Sequence, residues 1–210
     1  MRTRIKICGL TREADVATAC AAGADAVGFV CYPNSPRHVA ARRLRALARE
    51  LGPFTVPVLL FVNAAQDLVK AARDEMPTAV LQFHGDEQEP ECARYGAPYV
   101  RAVRMAEGVD LLDFERLFSS AAALLLDTPS EAYGGSGRAF DWSRIPARRS
   151  NRVILAGGLN SDNVMHAVRA VRPYAVDVSS GVEEAPGIKS AMRIRDFVNA
   201  VRRADQLDPQ

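Results

Sequence analysis

Two residues able to move protons each close an apolar run: Cys8 ends "RIKIC" (4–8) and Asp127 ends "AALLLD" (122–127). A thiol and a carboxyl that face one ligand from opposite sides can serve as base and acid. In water their pKa values, about 8.5 and about 3.9, each lie on the wrong side of neutrality for those tasks. Burial and a nearby substrate anion would raise the aspartate, which suits an acid. The cysteine needs instead a local field that favours thiolate, and the sequence does not show its source. Each residue also has a plainer reading. A cysteine in a strand packs as a small hydrophobe, and a terminal aspartate caps a loop.

Two glycine-containing turns suggest a phosphate site. Gly157-Gly158 lies in "AGGLN" (156–160), directly before a helix whose start is marked by Asn160 or Ser161. Ser179-Ser180-Gly181 lies in "DVSSGVE" (177–183), which opens with Asp177. Main-chain N–H groups without side chains in the way, at the positive end of a helix, hold a phosphate well. Either pair alone reads as a turn; together they favour the anion. Other polar residues fall at similar places. Arg37 sits in "NSPRHV", His84 in "QFHG" (82–85), and a glycine-rich loop reads "YGGSGRAFDW" (133–142). His84 reads as evenly as a structural residue or a pocket lining. His38 and His166 read as surface residues.

Elements at regular intervals must position these groups. Apolar runs recur at 4–8, 25–30, 55–62, 78–83, 98–103, 122–127, 152–157 and 174–179. Helix-like stretches separate them, at 12–22, 39–51, 64–75, 87–95, 109–119, 161–171 and 187–203, with a weak one at 141–149. Several runs are apolar on both faces, as in a parallel sheet covered on both sides. Alternating strands and helices imply right-handed crossovers. Eight such units predict an α/β chain folded as a single-domain (β/α)8 TIM barrel over 1–210, with the active site at the C-terminal ends of the strands. A doubly wound open sheet would usually carry G-x-G-x-x-G after its first strand, and "CGLTRE" is not that motif. Loops seven and eight of a barrel are also where phosphate is commonly bound.

Composition narrows the function classes. Formal net charge is +2, and the plentiful arginines lie in helix-like stretches such as "ARRLRALARE", as solvated faces rather than a nucleic-acid surface. Cys8, Cys20, Cys31 and Cys92 show no zinc-type spacing, so no metal is expected. Neither a signal peptide nor a membrane-length apolar stretch is visible, and a reduced cytoplasm is the expected compartment.

The motifs "KICGLT", "SPR", "QFHGDE", "LLLDT", "GGSGRAFDW", "LAGGLNSDNV" and "DVSSGVEEAPGIK" together resemble those of the phosphoribosylanthranilate isomerases of tryptophan biosynthesis, nearly end to end and in that family's order. The resemblance implies a (β/α)8 barrel without metal or organic cofactor that performs an Amadori rearrangement of a phosphorylated small molecule. Carried onto this chain, it makes Asp127 the general acid and Cys8 the general base. It places Arg37 at the anthranilate end, phosphate on Gly157, Gly158, Ser180 and Gly181, and His84 and Asp177 as supporting polar groups. No nucleic acid or membrane is implied, and monomer and homodimer are equally compatible. Phe83 departs from the family's more frequent leucine, and Ser190 from an acidic residue. Two rivals are an Amadori-type isomerase of histidine biosynthesis and a non-catalytic phosphosugar-binding barrel. The first is expected to carry an aspartate where Cys8 stands, and the second does not need Cys8 and Asp127 together.

Overall fold

The computed structural model describes residues 2–129, 140–147 and 152–207. The eight apolar runs form β1 (Arg4–Cys8), β2 (Ala26–Val30), β3 (Val56–Phe61), β4 (Val80–Phe83), β5 (Tyr99–Arg104), β6 (Ala123–Asp127), β7 (Val153–Leu155) and β8 (Ala175–Val178). They pair in chain order, every neighbour parallel, and β8 returns to β1 to close the barrel. Closure removes the sheet edges that an open sheet would leave unpaired. The expected TIM barrel is therefore the observed fold. Around it lie α1 (Glu13–Ala22), α2 (Ala41–Ala48), α3 (Gln66–Glu75), α4 (Glu89–Ala93), α5 (Leu111–Leu117), α6 (Val164–Val171) and α7 (Ala191–Leu207).

Successive side chains of a strand point to opposite faces, so each strand feeds two cores. Ile5, Ile7, Val27, Phe29, Leu59, Phe61, Leu81, Leu124, Leu126 and Leu155 join the layer between barrel and helices. Val100, Leu125 and Ile154, with Ala102, Ala123, Ala156 and Ala175, fill the barrel interior. Helix α7 presents Ile194, Phe197, Val198 and Val201 to the outer layer, the three-and-four spacing of one helical face. Above the inner core, Cys8, Val30, Leu60 and Val62 form a smaller cluster near the C-terminal end. The same alternation puts Lys6 with Cys8, Gln82 with His84, and Ala175 with Asp177. This parity aims the polar tips of β1, β4, β6 and β8 at one mouth.

Three expectations change. Of the weak helix expected at 141–149, the described part, 141–147, holds a single 3-10 turn, Trp142–Arg144, whose N-cap Asp141 accepts from Ser143 N–H, and 148–149 lie outside the described residues. The last helix begins at 191 rather than 187, because a hairpin, β9 (Glu183–Ala185) with β10 (Ile188–Lys189), intervenes. Its turn uses Pro186 and a left-handed Gly187, a pairing the helical pattern after it concealed. Helix α6 starts at Val164, beyond the expected 161. Asn160 Oδ1 accepts from the N–H groups of Asp162 and Asn163, and Asn163 Oδ1 from that of Asn160, so a side-chain-bonded turn precedes the helix. Of the glycine-rich loop at 133–142, residues 133–139 lie outside the described residues.

Phe61 is fully buried in the outer layer, its ring centroid 6.1 Å from that of Phe83. Phe61→Ala is expected to lower unfolding free energy by about 3–5 kcal/mol through the cavity it leaves. A urea titration checks this, and a native circular-dichroism spectrum should persist below the new midpoint.

Candidate active site

A cleft at the C-terminal ends of the strands collects the chemically distinctive residues. Cys8, Arg37, Gln82, His84, Asp127, Gly157, Gly158, Asp177 and Ser180 all line it, with Val30, Tyr32, Leu60 and Val62 as apolar wall. Its empty volume is about 760 Å³, counting space open to solvent.

Asp127 is held from both sides. Its Oδ1 accepts from Thr128 N–H at 2.8 Å, and its Oδ2 faces His84 Nε2 at 3.1 Å. Gln82 Nε2 donates to His84 Nδ1 at 3.1 Å, which assigns the ring hydrogen to Nε2 and points it at the carboxyl. The chain Gln82–His84–Asp127 thus orients the carboxyl across the cleft from Cys8.

On the opposite wall Cys8 is buried at the tip of β1. Burial is the largest influence on its thiol and pushes the pKa up; Lys6 opposes this, Asp177 adds to it, and Lys189 opposes it more weakly. Lys6 Nζ stands 2.9 Å from Asp177 Oδ2, with both side chains nearly closed to solvent.

Loops seven and eight meet face to face. Gly157 and Gly158 both have left-handed backbones. A methyl group on Gly157 would come 2.3 Å from Thr128 Oγ1 and 3.0 Å from Asp127 Oδ1. Gly181 packs behind the cleft wall, where a methyl group would come 2.0 Å from the Leu159 carbonyl oxygen. It lets the two loops approach closely. The main-chain N–H groups of Gly157, Gly158 and Ser180 meet no acceptor within the described residues. Ser180–Val182 forms a short 3-10 turn after β8.

Arg37 is fastened from below. Its Nε and Nη2 donate to Glu183 Oε1 and Oε2 at 2.8 and 2.7 Å, a bidentate pair. Lys189 Nζ donates to the same Oε1 at 2.7 Å and to the Ser179 carbonyl at 3.1 Å. Arg193 donates to the Glu183 carbonyl oxygen. The hairpin β9–β10 therefore ties loop two to loop eight. Burial pushes the Glu183 carboxyl up, but hydrogen bonds from Arg37 and Lys189 outweigh it and hold it below the ordinary value of 4.5. A depressed folded pKa stabilises above the unfolded value and loses that contribution as pH falls through the folded one. Glu183→Gln should therefore lower stability at neutral pH by roughly 3–5 kcal/mol, the cost of breaking a buried pair. Its melting-temperature gap to the parent should close on acidification below 4.5. A gap that stays constant with pH would refute the assignment.

Reading the sequence alone missed Lys6, Gln82, Glu183 and Lys189. Lys6 and Gln82 stand two residues before Cys8 and His84, so strand parity could have found them. Glu183 and Lys189 carry no such signal. His38 and His166 are exposed, as expected. Among the described residues, no three His, Cys, Asp or Glu side chains gather as a metal site would, and no helix is long and apolar enough to cross a membrane.

Residues 5–200 match the protein-family model described as N-(5'phosphoribosyl)anthranilate (PRA) isomerase. The N-(5'-phosphoribosyl)anthranilate isomerase of Methylibium petroleiphilum is 58% identical over 205 residues, 98% of this chain and 96% of that protein. The crystal structure of phosphoribosyl anthranilate isomerase from Thermotoga maritima superposes with a TM-score of 0.87 at 37% identity, covering 96% of this chain and 99% of that one. A phosphoribosyl anthranilate isomerase crystallised with reduced 1-(o-carboxyphenylamino)-1-deoxyribulose 5-phosphate superposes with a TM-score of 0.80 at 33% identity, with coverage of 96% and 99%. With strand order, cleft and sequence in agreement over nearly its whole length, this chain belongs to the N-(5'-phosphoribosyl)anthranilate isomerase family.

Proposed function

We propose that this chain converts N-(5'-phosphoribosyl)anthranilate to 1-(2-carboxyphenylamino)-1-deoxyribulose 5-phosphate, the aldose–ketose isomerisation of tryptophan biosynthesis, with Asp127 as general acid and Cys8 as general base. One observation carries the assignment of roles: the thiol and the carboxyl line one cleft from strands three apart round the barrel, beside main-chain N–H groups that meet no acceptor among the described residues. Family membership supplies the substrate.

Asp127 gives its proton to the furanose ring oxygen. The bond from C1 to that oxygen breaks, and the nitrogen lone pair forms the C1=N bond of a protonated Schiff base. The Cys8 thiolate then takes the proton from C2. The C2–H electrons form C1=C2, and the C=N electrons return to nitrogen, giving an enolamine. Moving the C2 hydroxyl proton to C1 leaves the ketone. Substrate and product are isomers, so proton transfers balance the reaction. His84 orients Asp127. Gly157, Gly158 and Ser180 hold the phosphate through main-chain donors, with Gly181 letting the loops close around it. Arg37, with two nitrogens tied to Glu183, keeps Nη1 for the anthranilate carboxylate.

The test follows anthranilate-type fluorescence as purified protein meets substrate generated in place. Consumption faster than spontaneous breakdown supports the proposal. Breakdown at the uncatalysed rate, with phosphate-ligand binding intact, would leave a binding barrel instead.

A further inference from the structure

The reactive thiol of this mechanism needs a nearby positive charge, and the barrel interior holds one that its apolar surroundings do not explain. Lys6 points inward from β1, two residues before Cys8 and on the same face, with 4% of its surface exposed. Strand register sets it directly beside Asp177 of β8, the two being paired positions in the ladder. Gly28 of β2 makes room for both β1 side chains. A methyl group there would come 2.7 Å from Cys8 Sγ and 3.2 Å from Lys6 Cε. Although Lys6 Nζ lies 2.9 Å from Asp177 Oδ2, neither it nor Asp177 Oδ1 has an aligned hydrogen bond among the described residues. A buried ammonium with donor capacity to spare next to a thiol is an incomplete arrangement, and a thiolate completes it.

We propose that Lys6 is the positioning residue of the general base, favouring the thiolate of Cys8 against the burial that opposes it, and that Asp177 keeps Lys6 at that station. This rests on the reading of Cys8 as the base. The cationic groups facing the thiol all favour its anion. Lys6 on its own strand favours the anion, and Lys189 of β10 does so more weakly. Arg37, after β2, also feels the thiol's charge. Asp177 of β8 disfavours the anion directly, so its service to the base runs through Lys6. Burial would lower the Lys6 ammonium's pKa, but Asp177 and Cys8 outweigh it and keep it above the ordinary lysine value. The lysine therefore stays charged across the working range. When Cys8 takes the proton from C2 it becomes a neutral thiol, and Lys6 falls back on Asp177.

The experiment reads thiolate formation independently of catalysis. Alkylation of Cys8 by iodoacetamide, followed by peptide mass spectrometry to separate it from Cys20, Cys31 and Cys92, gives a midpoint pH for each variant. Lys6→Met should move that midpoint up by about 1–3 pH units, the effect of deleting an opposite charge at such range. Asp177→Asn keeps an acceptor for Lys6 but loses the negative charge beside the thiol, so it should move the midpoint down, and Lys6→Arg should retain most of the parent value. Because Lys6→Met leaves a buried aspartate unpaired and can fail to fold, Lys6→Met/Asp177→Asn is compared with Asp177→Asn alone. The double variant should again lie about 1–3 units higher. Equal midpoints in that comparison overturn the proposal while leaving Cys8 free to be the base. The rising limb of kcat/KM, set by ionisation of the base, should follow the alkylation midpoints in Lys6→Arg and Asp177→Asn. Midpoints that move without the limb following overturn instead the reading of Cys8 as the base, and the proposal with it.

Discussion

Cys8→Ala should abolish turnover while leaving the affinity for inorganic phosphate nearly unchanged. The two consequences separate because the barrel separates the groups. Cys8 ends β1 and packs against Val30, Leu60 and Val62, whereas Gly157, Gly158 and Ser180 belong to the loops after β7 and β8. Truncating the thiol removes the acceptor for the C2 proton and touches no main-chain donor. General acid–base groups contribute roughly a hundred- to ten-thousand-fold in rate. A loss of that size in kcat, with KM and phosphate affinity holding within a few-fold, fits a base used only in the transition state. A loss below a hundred-fold would demote Cys8 to positioning. Parallel collapse of phosphate affinity would show that the substitution had disturbed the cleft as a whole.

Asp127→Asn should fail at ring opening, with a comparable fall in kcat and little change in KM. Asparagine preserves the outline of the side chain and the acceptor that Thr128 N–H uses, so positioning survives. What disappears is the proton that must reach the ring oxygen as the C1–O bond breaks. The asparagine NH2 then faces His84 Nε2, and the ring accepts there once the Gln82 amide turns over to take the hydrogen on Nδ1. Near-normal turnover in Asp127→Asn would sink the acid assignment. A raised KM with unaltered kcat would recast Asp127 as a ground-state binding group.

The barrel was legible because its signal is local and repeated. The ends of the eight apolar runs lie within two residues of those of the observed strands, and each run occurs where burial on two faces demands continuous hydrophobicity. Element ends were less legible. The second strand of the hairpin Glu183–Lys189 falls inside the stretch read as the last helix, since strands of three and two residues carry no period of their own. The opening of α6 was shifted by side-chain bonds between Asn160 and Asn163 that compete with the helix ladder.

Sequence by itself determined which residues end the strands, and hence that Cys8, His84, Asp127, Asp177 and the glycine turns would gather at one end of a parallel barrel. Strand parity and chain order suffice for that, because in a barrel every C-terminal strand end opens on the same mouth. Only the tertiary structure decided which partners tune them. Lys6 is paired with Asp177 by the register between the first and last strands, 171 positions apart as 177 less 6. Arg37 is fastened by a glutamate in a hairpin 146 positions away. Gly181 is a point of close contact between two loops, beside the Leu159 carbonyl oxygen. Electrostatic environment depends on distances of a few ångströms between chain segments that sequence separates, and closure of the barrel is what sets those distances.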